Sequence, residues 1–329
     1  MAKKRKACSK IGVLTSGGDA PGMNACIRAV TRGAMAQGID VVGIKRGYSG
    51  IFAGNSIELN SRVVANTIQR GGTILESSRC EEFMSADGRK KATEILEKEG
   101  IEGLIVIGGN GSFRGAAALA AESSIRVVGI PGTIDNDVYG TDYAVGFDTA
   151  INTALEAIDR IRDTADAFER VFFVEVMGRK SGAIALEVGI AGGAEEILIP
   201  ENNIEPEDLA QILKESFDRG KRSSLIVVAE GNETGHTFQI AQYIQYRLKI
   251  DCRVCVLGHL QRGGTPSARD RVLGSRLGTA AVDGLLNGKS GHAVGEVNWE
   301  IVFTPLLEAS ERRKTLNAHS LDAMKVLAK

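Results

Sequence analysis

Two carboxylates, Asp135 and Asp137, lie in Pro131-Gly132-Thr133-Ile134-Asp135-Asn136-Asp137, a stretch with no basic residue inside it to neutralise them. Such a pair suits proton transfer by one member and help with a metal ion by the other. The run Ile125-Arg126-Val127-Val128-Gly129-Ile130 before it reads as a buried strand. Strand exits in open α/β sheets are where ligands bind. In an extended segment a spacing of two turns both carboxylates toward one side. The plainer alternative is a turn in which Asp and Asn bond their own backbone. Thr133, beside the pair, and the glycine-rich loop upstream favour chemistry.

The elements that must position this pair follow a repeating pattern. Ile11-Gly12-Val13-Leu14 is a short strand, Thr15-Ser16-Gly17-Gly18-Asp19-Ala20-Pro21-Gly22 a loop, and residues 23–37 a helix. Glycines between strand and helix let backbone N–H groups approach phosphate oxygens, and the helix N-terminus adds roughly half a positive charge. The spacing matches neither dinucleotide-binding nor Walker loops, and no ribose-binding acid follows a G-x-G-x-x-G, which argues against a dehydrogenase. A helix at 90–99 leads to a strand at 104–107, the loop Gly108-Gly109-Asn110-Gly111-Ser112 and an Ala-rich helix at 115–121. Parallel strands fed this way predict a doubly wound sheet with two phosphate-sized concavities on one edge.

After Gly146 the pattern restarts. A helix at 149–162 precedes a strand at 171–176 and the loop Met177-Gly178-Arg179-Lys180-Ser181-Gly182. Strands at 197–199, 225–229 and 252–257 alternate with helices at 206–218 and 237–248. Strand exits here carry Arg179, Glu230 and the run Gly258-His259-Leu260-Gln261-Arg262-Gly263-Gly264. Arg supplies a planar fork for phosphate, His a donor and Glu an acceptor for hydroxyls, a set suited to a phosphorylated sugar. Each charge-assisted hydrogen bond is worth about 1.5 to 3 kcal/mol.

At 329 residues, two lobes are expected. A formal net charge of −1, with 25% charged residues, gives no basic field for nucleic acid and no acidic tail. Lys3-Lys4-Arg5-Lys6 has no apolar stretch after it, so it reads as a solvated tail rather than a signal peptide. No apolar run approaches the roughly 18 residues of a membrane span, so a soluble protein is expected. Five cysteines without a secretion signal fit a reducing cytoplasm. Cys252 and Cys255 have C-x-x-C spacing, but a strand there aims their thiols to opposite faces, against a zinc or redox pair.

The stretches IGVLTSGGDAPGMNACIR, RGGT, GGNGS, PGTIDND, GTDYAVGFDTA, AIDRIRDTA, VEVMGRKSG, IAGG and LGHLQRGG resemble the bacterial-type 6-phosphofructokinases, in that family's order from about residue 11 to 280. The resemblance implies phosphoryl transfer from ATP, as co-substrate, to the 1-hydroxyl of fructose 6-phosphate, with Mg2+. It implies two Rossmann-like doubly wound α/β lobes with the active site in the cleft between them. Residues 1–146 with 261–311 would form the phosphoryl-donor lobe, and 147–260 with 312–329 the sugar-phosphate lobe. By matching motif positions, Asp135 looks like the base, Thr133 sits beside it, and Arg179 resembles the group facing the transferred phosphoryl. Asp137 looks like the partner that steadies the metal or the sugar. The sugar phosphate is expected against Thr133, Asp135, Asp137, Arg170, Met177, Gly178, Arg179, Glu230, Arg253, His259 and Arg262. In the family Arg170 and Arg253 reach a neighbouring subunit's acceptor, so a homotetramer, or at least a dimer, is implied.

Donor binding is expected at Gly18, Tyr48, Arg79, Cys80, Gly109, Asn110, Gly111 and Ser112, with Asn110 and Asp137 toward the metal. This is where the chain departs from the pattern. The family's usual Asp in GGDGS is Asn110, a weaker ligand for hard Mg2+, and a nearby position often held by Arg is Met84. Pyrophosphate-using relatives carry Asp where Gly111 stands and Lys where Gly132 stands, so two glycines favour ATP. Pyrophosphate as donor, and a sugar-phosphate-binding subunit with weak or no turnover, stay open as alternatives. Arg28, Arg32, Arg162, Arg219 and Lys221 fall near positions that bind an effector in relatives, while Ser61 and Ser223 replace basic groups found in some. Ordinary surface charge explains them equally well.

Overall fold

The computed structural model describes residues 8–165, 170–232 and 236–327; the basic run Lys3-Lys4-Arg5-Lys6 lies outside them. The chain divides into two α/β units. Unit 1 takes Met1–Thr133, Asp137–Asp148 and Arg262–Lys314; unit 2 takes Ile134–Asn136, Thr149–Gln261 and Thr315–Lys329.

Unit 1 begins with β1 (Lys10–Ser16), α1 (Met23–Ala36), β2 (Asp40–Ile44), α2 (Ser49–Ala53) and β3 (Ser56–Leu59). It continues with α3 (Ala86–Lys98), β4 (Gly103–Gly108), α4 (Asn110–Glu122) and β5 (Arg126–Pro131). Helix α5 (Phe147–Ala165) carries the chain over the division at Asp148. Unit 2 contains β6 (Arg170–Val176), α6 (Ala183–Ala191), β7 (Glu196–Leu198), α7 (Pro206–Asp218), β8 (Ser224–Ala229), α8 (Thr237–Leu248) and β9 (Asp251–Val256). The chain then returns to unit 1 with α9 (Ala268–Leu286), β10 (His292–Val297), β11 (Glu300–Pro305) and α10 (Leu306–Glu311), and ends in unit 2 with α11 (Ala318–Leu327).

The unit 1 sheet runs β11-β10-β5-β4-β1-β2-β3, parallel from β10 to β2 with an antiparallel strand at each edge. Its central strands β1, β4 and β5 are buried almost throughout, which is why they read as continuous apolar runs. Helices α1 and α9 meet through small residues: a Cβ at Gly278 would stand 2.6 Å from that of Ala29. Parallel connections leave the loops after β1, β4 and β5 at one sheet edge, and the register Ser16↔Gly108↔Pro131 aligns them.

Unit 2 has a four-stranded parallel sheet, β7-β8-β6-β9. Val171, Phe173, Leu198, Leu209, Leu213, Ile226, Val228, Ile240 and Ile244 form its core beneath α7 and α8. Pro206 at the first helical position and Glu207 and Asp208 in the first turn make the start of α7 legible, since both suit a helix N-terminus. On β9, burial pushes the Cys252 thiol up to about 12, while Cys255, on the opposite face, is half-buried. Among the described residues no helix is long and apolar enough to cross a membrane.

Helices α3 and α4 begin earlier than expected: α3 starts at Ala86, not 90. Helix α4 starts at Asn110, not 115, with Gly109 as its N-cap. Phe113, Ala116 and Leu119 bury one face of that helix, and this packing carries the glycines at 111 and 115 into it. Asn110, Gly111 and Ser112 therefore form a first turn, whose N–H groups lack intrahelical partners.

Candidate active site

Strand β5 delivers the carboxylates. Gly132 N–H donates to Gly108 O at 3.0 Å and Thr133 N–H to Val145 O at 3.1 Å, tying the strand exit to unit 1. Ile134 to Asn136 then belong to unit 2, and Asp137 returns to unit 1. The extended geometry that would turn both carboxylates to one side is not adopted. Ile134 and Asp135 lie in a turn, and Asn136 has φ 49°, a left-handed conformation that breaks strand alternation. Each carboxylate consequently bonds within a different unit.

In unit 1, the loops after β1 and β4 meet: Ser112 Oγ would lie 2.6 Å from a Cβ at Gly108 and 3.4 Å from one at Gly17. A Cβ at Gly109 would stand 3.5 Å from that of Thr133. Asn110 Nδ2 donates to Asp137 Oδ2 at 2.9 Å, and Asn110 Oδ1 is a buried acceptor that meets no hydrogen-bond donor among the described residues. Lys314 donates from Nζ to Asp142 O at 2.8 Å. Burial pulls its amine down to about 8, against the opposing pull of Asp142 and Asp137. Gly18 lies under Arg262, whose Nη1 donates to Asp19 O at 3.1 Å. Tyr48 is buried, stacks on Phe83 at 3.9 Å and donates its hydroxyl to Ser112 O at 2.8 Å; burial pushes its phenol up. Arg79 is exposed and Cys80 half-buried against the unit 1 core.

In unit 2, Asp135 is only 3% exposed, and Arg179 brings Nε to 3.5 Å from its Oδ2. The chain leaves β6 through Met177, Gly178 and Arg179, and Glu230 at the end of β8 accepts from Arg179 N–H at 2.8 Å. Arg179 has φ 52°, rare for a residue with a side chain. Gly231 permits this turn, because a Cβ there would fall 1.6 Å from Arg179 O. Thus Asp135, Met177, Gly178, Arg179 and Glu230 form one cluster. His259 is exposed in the short turn after β9.

Arg170 and Arg253 are not part of that cluster. Both bond Asp251 Oδ2, at 2.7 and 2.9 Å, near the N-terminal end of the sheet. Arg170 opens β6 whereas Met177 comes just after its last residue, about 20 Å along the strand. Among the remaining basic residues, Arg162 Nε donates to Gly192 O at 2.7 Å, and Arg162 and Lys221 both pair with Glu195, at 4.0 and 2.8 Å. Arg219 is exposed. Arg28 and Arg32 lie on α1 in unit 1, half-buried and exposed respectively.

Asn24 and Gln261 lie inside the motif stretches, yet the sequence assigned neither a role. Asn24, on α1, is buried and bonds three backbone groups of the segment leading to Arg79: Oδ1 accepts from Ile74 N–H at 2.8 Å, and Nδ2 donates to Arg70 O and Gly71 O at 3.0 and 3.3 Å. Thr15 Oγ1 donates to Glu76 O at 2.6 Å, and Ser77 Oγ to Gly17 O at 2.6 Å, fixing the same segment to β1 and its loop. In unit 2, Gln261 is wholly buried and accepts from Met177 N–H at 2.8 Å.

Residues 10–285 match the family model described as phosphofructokinase. The chain is 58% identical over 319 residues to ATP-dependent 6-phosphofructokinase 1 of Thermus thermophilus, covering 97% of this chain and 99% of that protein. It is 53% identical over 309 residues to the ATP-dependent 6-phosphofructokinase of Cytophaga hutchinsonii, covering 94% of each. Among solved structures it is similar to Pichia pastoris phosphofructokinase in the T-state, with TM-score 0.88 and 32% identity. That match covers all of this chain and 38% of the longer one.

Proposed function

We propose residue roles from one premise: this chain belongs to the phosphofructokinase family, and it phosphorylates fructose 6-phosphate with ATP, a step of glycolysis. Asp135 accepts the proton of the attacking 1-hydroxyl, and Arg179 faces the transferred phosphoryl group. The observation that carries this reading is the buried Asp135 carboxylate beside the Arg179 guanidinium, on a turn held by Glu230. Phosphoryl transfer asks for positioning and charge stabilisation, with little covalent work by the protein. Thr133, Asp137, Met177, Gly178, Glu230, His259 and Arg262 hold and orient the sugar phosphate.

Unit 1 holds the donor, through Gly18, Tyr48, Arg79, Cys80, Gly109, Asn110, Gly111 and Ser112. The first turn of α4 offers unpaired N–H groups and the positive end of a helix dipole to phosphate oxygens. Gly111 supports ATP. A Cβ there would meet only Arg114 Nη2, at 3.9 Å, so packing does not require glycine, while its small size leaves room for an α-phosphate.

Asn110 Oδ1 and the Asp137 carboxylate are hard oxygen donors, and a buried acceptor that meets no hydrogen-bond donor among the described residues, beside a carboxylate, fits a divalent cation. Mg2+ bound there would neutralise charge on the transferring phosphoryl group. The amide keeps Asp137 in place by donating to it, a task a carboxylate at 110 cannot perform.

A cytoplasmic homotetramer is the assembly we propose, with Arg170 and Arg253 serving a neighbour's sugar phosphate. A regulatory anion site drawing on Arg28, Arg32, Arg162, Arg219 and Lys221 is a further proposal. Within unit 2 an effector would compete with Glu195 for Arg162 and Lys221. A coupled assay for fructose 1,6-bisphosphate, run with fructose 6-phosphate and either MgATP or Mg-pyrophosphate, tests the donor: product with MgATP alone is expected, and product with pyrophosphate alone contradicts it.

A further inference from the structure

We infer that Gln261 is a positioning residue for Arg179, fixing the root of the turn that sets the guanidinium beside Asp135. This rests on the role of Arg179 proposed above. Gln261 is fully buried, and its Oε1 accepts from Met177 N–H, the first amide after β6. Its Nε2 is also buried and meets no hydrogen-bond acceptor among the described residues. Burying an amide with one end unsatisfied is costly, and a methionine of similar length would fill the space without that cost. Packing alone therefore does not account for glutamine here; the acceptor it gives Met177 does.

That acceptor matters because Met177 is the root of a strained turn. Gly178 has φ 135° and Arg179 φ 52°, and Ser181 N–H closes the turn on Gly178 O at 2.9 Å. A left-handed residue with a side chain persists only where its surroundings over-determine it. Three contacts do so. Glu230 takes Arg179 N–H, Gly231 leaves space for Arg179 O, and Gln261 holds the amide two residues earlier. At the far end of the loop, Glu201 accepts from Gly182 N–H at 3.1 Å. Without Gln261 the Met177 amide loses its partner, the root of the turn slackens, and the guanidinium loses its fixed approach to Asp135.

The test is a double-mutant cycle in the full-length protein, reading kcat and both KM values, with thermal unfolding as a folding check. Gln261→Met is expected to lower kcat at least about tenfold in the parent but less than about twofold in an Arg179→Ala background, because residues acting as a unit are non-additive. KM for ATP is expected to stay put. Gln261→Glu keeps an acceptor for Met177 and is expected to restore kcat to within about threefold of the parent. Equal losses in both backgrounds, or a Glu variant as impaired as the Met variant, overturn the inference. If Gln261→Met does not fold, Gln261→Glu decides alone: retained kcat supports the acceptor role and a tenfold loss contradicts it. Arg179→Ala with unchanged kcat would instead refute the role of Arg179, a result separate from additivity.

Discussion

Arg179 holds its Nε 3.5 Å from Oδ2 of Asp135, with the arginine side chain 66% exposed and the aspartate side chain 4% exposed. Folding stability does not explain the pairing. Taking the Asp135 carboxylate out of water offsets much of what its pairing with the exposed Arg179 gains, whereas a left-handed backbone at a residue with a Cβ costs about 1 to 2 kcal/mol. Arg179→Lys keeps the charge and loses the planar fork. It is expected to lower kcat by about tenfold to a hundredfold while shifting the urea midpoint little, measured on the same preparation.

Asn110 donates to Asp137, so Asn110→Asp replaces a hydrogen bond with two carboxylates in contact. Like charges at that range oppose ionisation, and a divalent cation relieves them. Without metal the variant is expected to melt below the parent, and Mg2+ should raise its Tm more than the parent's. Mn2+ titrated calorimetrically without nucleotide should bind the variant more tightly. Equal metal affinity in the two proteins would mean that residue 110 does not face the cation.

Asn24 satisfies three backbone groups between Arg70 and Ile74, upstream of Arg79 and Cys80. Asn24→Ala is expected to raise KM for ATP about fivefold or more and leave KM for fructose 6-phosphate unchanged, since the displaced segment belongs to unit 1, which we propose holds the donor. A parallel rise in both constants would point to general loosening of the fold.

Glu196, on β7, is buried, and burial raises its carboxyl above the usual 4.5. A raised folded value gives stability that is fully present below the unfolded value and lost as pH rises through the folded one. Glu196→Gln should remove that dependence, leaving the variant more stable than the parent at pH 8, with the gap closing toward pH 4. Urea midpoints at the two pH values measure it, and an equal gap at both would contradict the burial argument.

The fold was legible where local chemistry and tertiary packing agree. Pro206 with two acids after it marks the start of α7, and unbroken apolar runs mark β4 and β8. The start of α4 was hidden because Gly-Gly-Asn-Gly-Ser has low helix propensity, which burial of Phe113 and Leu119 overrides. Helix α9 buries Leu273, Leu277, Ala281 and Leu285 at a spacing of four, but Gly274, Gly278 and Gly284 lower its helix propensity, and the first two serve close packing on α1. Asp135 and Arg179, which the structure sets side by side, were singled out by their motifs. Gln261 and Asn24 were not, because their partners are backbone groups 84 and 46 to 50 positions away. The Asp135–Asp137 spacing misled for a local reason, the left-handed Asn136 between them.

The role of Asp135 is tested most directly by Asp135→Asn, which keeps the shape and removes the proton acceptor. At saturating MgATP and fructose 6-phosphate, kcat is expected to fall at least about a hundredfold, the contribution of a general base. Calorimetric affinity for the sugar phosphate should stay within a few-fold of the parent's. A kcat within threefold of the parent would show that the hydroxyl proton leaves by another route.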